Sequence, residues 1–287
     1  MAFALDRPTR NSLVDAATAL QAWQSDDAAF QLHSGDLGWF ERFGLESAAA
    51  SVRSWSSDGE VVAVGLLDEP DLLRLTVAPT LAQDEELALR IAADLAQPEQ
   101  GVLAAGAAIL ETPMGIRLRD VLLERGWTLD EAWTPLRRDL ADPVYDIELR
   151  IEAAGDDLVE TRVALQRAAF EKSIFTAAAW QSMAAGAQFE DARDLVGFDD
   201  NGVPVAAITV WSADPGRPGL IEPMGVHRDH RGRGYGTAMT KAGAAALRDL
   251  GSSSALVCTR SANTGGVATY RKAGFEPLPE RLDLSRA

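Results

Sequence analysis

The residues of this chain with the clearest chemical potential are three glycines at alternate positions, Gly232, Gly234 and Gly236. A short apolar strand is predicted before them and an alanine-rich amphipathic helix after them. Because glycine has no Cβ, the backbone amides of such a loop stay accessible, and the helix that follows adds unpaired amides and the positive end of its dipole. The spacing therefore predicts a binding site for an anion such as a pyrophosphate.

Arginines surround this loop although the chain as a whole is acidic. Arg228, Arg231 and Arg233 lie close together, whereas the whole chain has 27 Lys and Arg against 43 Asp and Glu, a net charge of −16. Nucleic acids and anionic membranes require extended basic surfaces, so we expect neither as a partner. The acidity is compatible with a cationic small molecule, although solubility explains it equally well.

Length and composition suggest a chain of two domains. The 287 residues, 47% of them hydrophobic, can bury two cores. No apolar run is long enough to span a bilayer, and the N-terminus lacks the pattern of a signal peptide. The single cysteine, Cys258, excludes an internal disulfide. We therefore expect a cytoplasmic protein.

The C-terminal half shows alternating helix and strand patterns around the glycine loop. They predict an α+β domain rather than a repeating βαβ array. The predicted helices are residues 156–170, 176–185, 234–250 and 265–273, and the predicted strands are residues 145–152, 195–198, 203–211, 220–226, 255–259 and 275–284, the last of which closes the domain.

The N-terminal half repeats this order more weakly. Helices are predicted at residues 11–23, 84–96 and 116–125, and strands at residues 48–55, 61–67, 72–77 and 106–110. Val77 corresponds to Val226 at an offset of 149, and Gly126 to Gly274 at an offset of 148. The nearly constant offset predicts an internal duplication with a junction near residues 141–143.

Two segments, in the right order, resemble the GNAT superfamily of acyl-CoA-dependent N-acetyltransferases. Arg231-x-x-Gly234-x-Gly236 opens a helix, and Asn263 is followed seven residues later by Tyr270. The resemblance is strong over residues 145–287 and weak over residues 1–140, and the tandem layout is similar to that of mycothiol synthase and its relatives.

This resemblance implies two tandem acyl-CoA N-acyltransferase (GNAT) domains, each a mixed, mostly antiparallel sheet flanked by helices. Residues 1–141 would form a degenerate domain without cofactor, and residues 145–287 a catalytic domain that binds acetyl-CoA. Backbone groups of one strand would bind pantetheine, loop amides the pyrophosphate, and Asn263 the pantetheine arm or the adjacent backbone. The implied cofactor-binding residues are Met224, Gly225, Val226, Arg231, Gly232, Arg233, Gly234, Tyr235, Gly236, Thr237 and Asn263.

The resemblance also implies catalytic residues. Tyr270 would protonate the leaving thiolate, since a neutral phenol can donate to developing negative charge. Glu222 is the first candidate for the base that deprotonates the amine, although the family's base often lies nearer to Leu220. Residues 220, 222 and 224 are predicted to share a face of the strand. His227 is the second candidate, and direct attack through a water chain without a dedicated base is a further option.

One departure from the family pattern is Arg228, where many relatives carry proline. The resemblance therefore does not define the backbone conformation at the entry to the loop.

A dinucleotide site would need a third small residue where this chain has Met239, and the chain has no P-loop Gly-Lys-Ser/Thr. A metal site is not expected, since His33, His227, His230 and Cys258 do not form a typical ligand set.

The N-terminal copy lacks the residues that would hold the cofactor. The offset of 149 places Asp84, Glu85 and Glu86 near the position of the glycine loop, where carboxylates would repel a pyrophosphate. The offset of 148 places Leu122 opposite Tyr270. We therefore expect acetyl-CoA to bind in the C-terminal half only.

The expected function is transfer of an acetyl group from acetyl-CoA to a primary amine of a small molecule, without a metal. The alternative is a CoA-binding sensor or interaction protein without turnover. The sequence does not separate a mycothiol precursor from aminoglycosides, polyamines, amino acids or peptide N-termini as acceptor. It is compatible with a monomer or a homodimer.

Overall fold

The computed structural model describes residues 2–287. The strands, in chain order, are β1 (Ala4–Asp6), β2 (Val52–Ser57), β3 (Glu60–Glu69), β4 (Leu72–Val77), β5 (Ala108–Glu111), β6 (Thr128–Asp139), β7 (Arg150–Ala153), β8 (Ala192–Phe198), β9 (Pro204–Trp211), β10 (Gly219–Val226), β11 (Ser254–Arg260), β12 (Glu276–Pro277) and β13 (Arg281–Arg286). The α-helices are α1 (Leu13–Trp23), α2 (Ser34–Phe40), α3 (Leu45–Ser51), α4 (Glu85–Leu95), α5 (Arg117–Glu124), α6 (Val159–Ala169), α7 (Ala177–Ala184), α8 (Tyr235–Asp249) and α9 (Thr264–Lys272).

The chain forms two compact units that exchange segments. The N-terminal unit contains residues 2–33, Leu45–Trp133 and Glu280–Ala287. The C-terminal unit contains Ser34–Gly44 and Thr134–Pro279. The division therefore differs from a single cut near residue 141, because one segment of each half is built into the other unit.

The N-terminal unit is a mostly antiparallel sheet in the order β1-β2-β3-β4-β5-β13, with the first half of β6 next to β13. Strands β4 and β5 are parallel. Apolar residues of this sheet and of helices α4 and α5 form one core, which includes Leu73, Ile91, Leu110 and Leu122.

The C-terminal unit repeats the same pairing pattern. Its sheet has the order β11-β10-β9-β8-β7, with the second half of β6 next to β11 and β12 on β6. Strand β10 pairs antiparallel with β9 and parallel with β11, as β4 does with β3 and β5. The predicted α+β class, with two tandem domains of mixed, mostly antiparallel sheets, is confirmed.

Apolar side chains cover both faces of this second sheet. Ile208, Ile221 and Met239 belong to the core that also contains residues of α8 and α9. On the opposite face, Ala207 packs in a smaller cluster with Leu165 of α6. Helices on both faces hold β10, the strand that leads into the glycine loop.

Three predicted strands differ in the structure. Residues 45–51 form helix α3, because the alanine run there favours helix, and β2 begins only at Val52. Residues 145–149 are outside any strand, and β7 begins at Arg150. The predicted strand 275–284 is divided into β12 and β13 around Pro277 and Pro279, whose missing amides interrupt a strand.

Strand β13 also does not close the C-terminal domain as predicted. It belongs to the N-terminal unit, where Leu284 pairs with Leu110 of β5 and with Leu129 of β6. The sequence pattern identified a strand at this point but could not identify its partners, because pairing between distant segments leaves no local signal.

Helix α2 was not predicted, and it lies in the C-terminal unit. A Cβ at Gly35 or Gly38 would overlap the side chain of Trp211 on β9, so these glycines allow the helix backbone to approach the sheet closely. Glycine is a poor helix former, which explains why the helix was missed. The indole Nε1 of Trp211 donates to the carbonyl oxygen of Glu222 over 2.7 Å, so α2 lies beside the region that contains the candidate base.

Glu41 is a buried carboxyl group that follows α2. It is 1% exposed, and its burial raises the pKa of the carboxyl group from 4.5 to about 7. With its amide nitrogen oriented toward this carboxylate, Gln188 donates to Glu41 Oε1 over 2.6 Å. Because the folded state holds this proton more tightly than the unfolded state does, Glu41 makes the stability of the fold depend on pH.

Replacing Glu41 by glutamine should stabilise the protein at alkaline pH. Stability that the protonated Glu41 provides is lost as the pH rises from 4.5, the unfolded pKa, through about 7, the folded pKa. We expect Glu41→Gln to raise the free energy of unfolding by less than about 1 kcal/mol at pH 5 and by about 3 kcal/mol at pH 8, in urea titrations. An equal gain for Glu41→Gln at both pH values would contradict the prediction.

Candidate active site

Strands β10 and β11 pair at one end and then separate. Their parallel pairing covers Gly219–Leu220 against Ala255–Leu256. Strand β10 remains paired with β9 as far as Val226, which lies opposite Ala206. Along Met224–Val226, within the described chain, the side of β10 that faces β11 therefore has no strand partner, and its backbone groups are available to a ligand.

A bulge changes the side-chain alternation of β10. Ile221 lies opposite Val210, and Met224 lies opposite Ile208. Between these two pairs β10 has two residues and β9 has one, which is a β-bulge. Ile221 and Met224 consequently share a face, and the prediction that residues 220, 222 and 224 alternate onto one face is wrong. Glu222 lies within the bulge, which the sequence pattern could not indicate.

The glycine loop has the backbone geometry that requires glycine. Gly232 has φ of 78° and Gly234 has φ of 88°, in the left-handed region that costs other residues strain. Gly234 directly precedes α8, and a Cβ built on it meets no atom within 4 Å. The first amides of α8 have no partner within the helix, so they can bind an anion in this open space.

A cavity of about 700 Å³ brings most of the predicted cofactor residues together. The predicted residues that line it are Met224, Gly225, Val226, Arg231, Gly232, Gly234, Tyr235, Gly236, Thr237, Asn263 and Tyr270. Arg233 and Glu222 are not among its lining residues.

The charge of this cavity differs from that of the chain. Its lining includes Arg231, Lys272 and His230 but contains no aspartate or glutamate. In a chain with a net charge of −16, this absence of carboxylates is favourable for an anionic ligand. The size, the open glycines and the charge of the cavity fit acetyl-CoA.

Two arginines of the loop bind the C-terminal end of α6. Arg231 Nη2 donates to the carbonyl oxygen of Ala169 over 2.7 Å. Arg228 Nε donates to the carbonyl oxygen of Ala168 over 2.9 Å. Cations at a helix C-terminus satisfy its unpaired carbonyls and complement its dipole. Arg228 therefore connects the entry of the loop to α6.

Asn263 caps helix α9. Its Oδ1 accepts from the amide of Gly266 over 3.1 Å, and its Nδ2 donates to Thr259 Oγ1 over 3.0 Å. Of the two roles predicted for Asn263, the structure contains the bond to the adjacent backbone. Asn263 also lines the cavity, so it holds the start of α9 beside the ligand space.

Tyr270 is a buried residue that also lines the cavity. Burial, with smaller contributions from Glu222 and Cys258, raises the pKa of its phenol above the ordinary value of 10. The contribution of Glu222 indicates that the carboxylate lies within electrostatic range of the phenol. Tyr270 is therefore neutral at pH 7 and can donate a proton into the cavity.

The other candidate base, His227, has a structural contact. Its Nδ1 accepts from the amide of Asp229 over 3.2 Å, and its ring stacks edge-on against His230 at 5.2 Å. His227 does not line the 700 Å³ cavity, whereas His230 does. Of the candidate acid and bases, Tyr270 lines this cavity, whereas neither Glu222 nor His227 does.

A buried polar network behind the site was missed by sequence reasoning. Asp194 accepts from Arg162 Nε and from Trp180 Nε1, each over 2.7 Å, and from Thr209 Oγ1 over 2.8 Å. Trp180 therefore has a structural role in holding α7 against the sheet. An Asp on a strand and an Arg on a helix give no sequence signal of their pairing.

In the corresponding region of the N-terminal unit, acidic side chains of the protein lie at the start of the helix. Asp84 Oδ1 accepts from the amide of Leu87 over 2.8 Å and so caps α4, the helix that corresponds to α8. Glu85 forms an ion pair with Arg117. The cavity near this helix, lined by Ala82 among others, has about 160 Å³. A carboxylate of the chain thus binds where the C-terminal unit has an open helix end.

None of the helices in residues 2–287 is long and apolar enough to cross a membrane. A grouping of three or more His, Cys, Asp or Glu side chains that could hold a metal ion is likewise absent from this part of the chain.

Comparison with known proteins agrees with this geometry. Residues 159–275 match the model of the acetyltransferase (GNAT) family. Over 262 residues the chain is 30% identical to the mycothiol acetyltransferase of Propionibacterium freudenreichii subsp. shermanii, an alignment that covers 84% of this chain and 78% of that protein.

Two solved structures share the fold over nearly the whole chain. A GCN5-related N-acetyltransferase from Sphaerobacter thermophilus superimposes with a TM-score of 0.60 at 18% identity, covering 99% of this chain and 95% of its own. A tandem GNAT protein from the clavulanic acid biosynthesis pathway has a TM-score of 0.60 at 17% identity, with coverages of 99% and 98%. The chain belongs to the acetyltransferase (GNAT) family and is an acyl-CoA-dependent N-acetyltransferase of the tandem type.

Proposed function

We propose that the C-terminal unit transfers the acetyl group of acetyl-CoA to a primary amine of a small molecule. The observation that carries this proposal is the cavity of about 700 Å³, in which the glycine loop, the unpaired side of β10 and Tyr270 meet without any lining carboxylate. When bound there, acetyl-CoA supplies an activated acetyl thioester.

Backbone groups of the chain would hold the donor. The amides from Arg231 to Thr237 would bind the pyrophosphate, with those at the start of α8 aided by the helix dipole. The unpaired side of Met224–Val226 would bind the amide groups of pantetheine as a neighbouring strand would. Arg233 would contribute its amide only, since its side chain is outside the cavity lining.

Tyr270 would act as the general acid. When the amine nitrogen forms its bond to the carbonyl carbon, the C–S bond breaks and its electron pair stays on sulfur. The phenol of Tyr270 donates its proton to that thiolate. Burial raises the pKa of Tyr270 above 10, so the phenol is protonated at neutral pH and has a proton to donate.

Glu222 would take the proton that the amine loses, directly or through a water. An ammonium group has no lone pair, so the acceptor must be deprotonated before attack. Two observations support this role: Glu222 lies in the bulge of β10, and its charge contributes to the raised pKa of Tyr270. The proton taken by Glu222 balances the proton released by Tyr270.

The N-terminal unit would support the fold without binding the donor. Asp84 already caps the helix end that would receive the pyrophosphate, and Glu85 adds a second carboxylate there. Leu122 is part of the apolar core where the other unit has Tyr270. We therefore place the reaction in the C-terminal unit alone.

A panel of amines tests the proposed activity. We expect purified protein to release CoA from acetyl-CoA in the presence of at least one small primary amine, with the N-acetylated product detected by mass spectrometry. The amine precursor of mycothiol is the first to test, because of the name of the relative from Propionibacterium freudenreichii. Binding of acetyl-CoA without acetylation of any amine would contradict turnover and favour the CoA-binding sensor.

A further inference from the structure

Three residues of the cavity wall can carry positive charge, and they differ in what they already bind. Arg231 donates to the carbonyl oxygen of Ala169, so its guanidinium is held at the end of α6. The ring of His230 contacts the rings of His227 and Tyr235, at centroid distances of 5.2 and 6.4 Å. The side chain of Lys272 has no hydrogen bond or ion pair with any of residues 2–287. Lys272 is thus the lining cation whose charge the protein itself does not use.

Two neutral polar side chains of the wall formed by α9, those of Asn263 and Thr269, are already hydrogen-bonded within the protein. Asn263 bonds to Gly266 and Thr259, and Thr269 Oγ1 donates to the carbonyl oxygen of Gly265 over 2.9 Å. They offer little to a phosphate group of a ligand. The ammonium of Lys272 is compact and carries three donors, which suits a phosphate oxygen.

Lys272 lies on a continuous stripe of α9 that lines the cavity. The stripe consists of Gly265, Ala268, Thr269 and Lys272, at the spacing of one helix face. Helical side chains lean toward the helix N-terminus, so Lys272 is directed along the stripe toward Ala268, where only a methyl group stands. The long side chain can therefore reach a ligand group that lies over this face.

CoA carries a phosphate that the glycine loop does not account for. The loop and the start of α8 suit the pyrophosphate, whereas the 3′-phosphate of the ribose is a separate monoester with a charge of about −1.5 to −2 at pH 7. We propose that Lys272 recognises this 3′-phosphate and makes the protein select CoA over 3′-dephospho-CoA. The inference rests on the proposed use of acetyl-CoA and adds a specificity-determining residue to that site.

Calorimetric titration with CoA and with 3′-dephospho-CoA tests this assignment without an acceptor. We expect the unaltered protein to bind CoA about fivefold more tightly than 3′-dephospho-CoA at low salt, with the preference decreasing as salt screens the charge. Lys272→Ala should bind both equally, by losing affinity for CoA alone. Lys272→Arg, which keeps the charge, should retain the preference.

Arg271→Ala is the matched control, because Arg271 is exposed on the same helix and does not line the cavity. It removes one positive charge and should leave the preference unchanged. If the unaltered protein binds both compounds equally, or if Lys272→Ala weakens both by the same factor, the role of Lys272 is refuted while the use of CoA stands. If neither compound binds, both the proposed donor and this inference are wrong.

Discussion

Replacing Tyr270 by phenylalanine should lower kcat by about 10²–10³-fold and leave the affinity for CoA nearly unchanged. The substitution removes only the hydroxyl group that would donate the proton. The ring remains, so its packing against Phe275, at a centroid distance of 6.2 Å, is kept. The measurement is the steady-state rate with the best amine of the panel, together with the Kd of CoA by calorimetry.

Tyr145→Phe is the control for this experiment, because Tyr145 is 68% exposed and does not line the cavity. Its rate should equal that of the unaltered protein. The raised pKa of Tyr270 also predicts that activity is not lost through its ionisation until the pH exceeds the ordinary tyrosine pKa of about 10. An unchanged kcat in Tyr270→Phe with every responsive amine would show that another group protonates the thiolate.

Replacing Gly234 by valine should weaken CoA binding by about 10–100-fold. Gly234 has φ of 88°, which a β-branched residue adopts only with strain, and it directly precedes α8. Its Cβ would project into open space at the helix end, so a side chain there would obstruct a ligand rather than clash with the protein. Calorimetric titration with CoA measures the loss.

Gly216→Val separates obstruction of the ligand from backbone strain. Gly216 has φ of 78° and equally open space around its Cβ, but it lies in the loop before β10 and does not line the cavity. Both variants should lose similar thermal stability, and only Gly234→Val should lose CoA affinity. Equal CoA affinity of the two variants would contradict the placement of an anion at the start of α8.

The backbone features of the glycine loop and of helix α9 could be predicted from sequence because their determinants are local. Gly232 and Gly234 adopt the positive φ angles for which glycine is required, and Asn263 caps the helix that carries Tyr270. In each case the residue type, its neighbours and the helix that follows lie within a few positions of one another.

The surroundings of Glu222 could not be predicted, because their geometry depends on distant segments. The bulge that contains Glu222 is a mismatch between β10 and β9, and a mismatch exists only once the two strands pair. Helix α2 joins the C-terminal unit through the fit of Gly35 and Gly38 against Trp211, residues far apart in sequence. The position of β13 in the N-terminal unit could not be predicted for the same reason, because it depends on pairing with β5 and β6, which are distant in sequence.

The constant offset in the sequence predicted the duplication, but the way in which the two copies differ at the equivalent helix could be seen only in the structure. Asp84 was predicted to repel an anion, and in the structure its carboxylate also occupies the helix end by capping α4. The two units therefore share a strand pattern and differ in what binds the N-terminus of the equivalent helix.

The central claim, that the scaffold occurs twice and the donor site once, is tested most directly by the stoichiometry of CoA binding. Calorimetric titration of the full-length protein should give one equivalent of CoA per chain, and Gly234→Val should reduce that binding. Two equivalents per chain would show that the N-terminal unit also binds the donor. One equivalent that persists unchanged in Gly234→Val would show that the donor is not held at the start of α8. Either result would contradict this account.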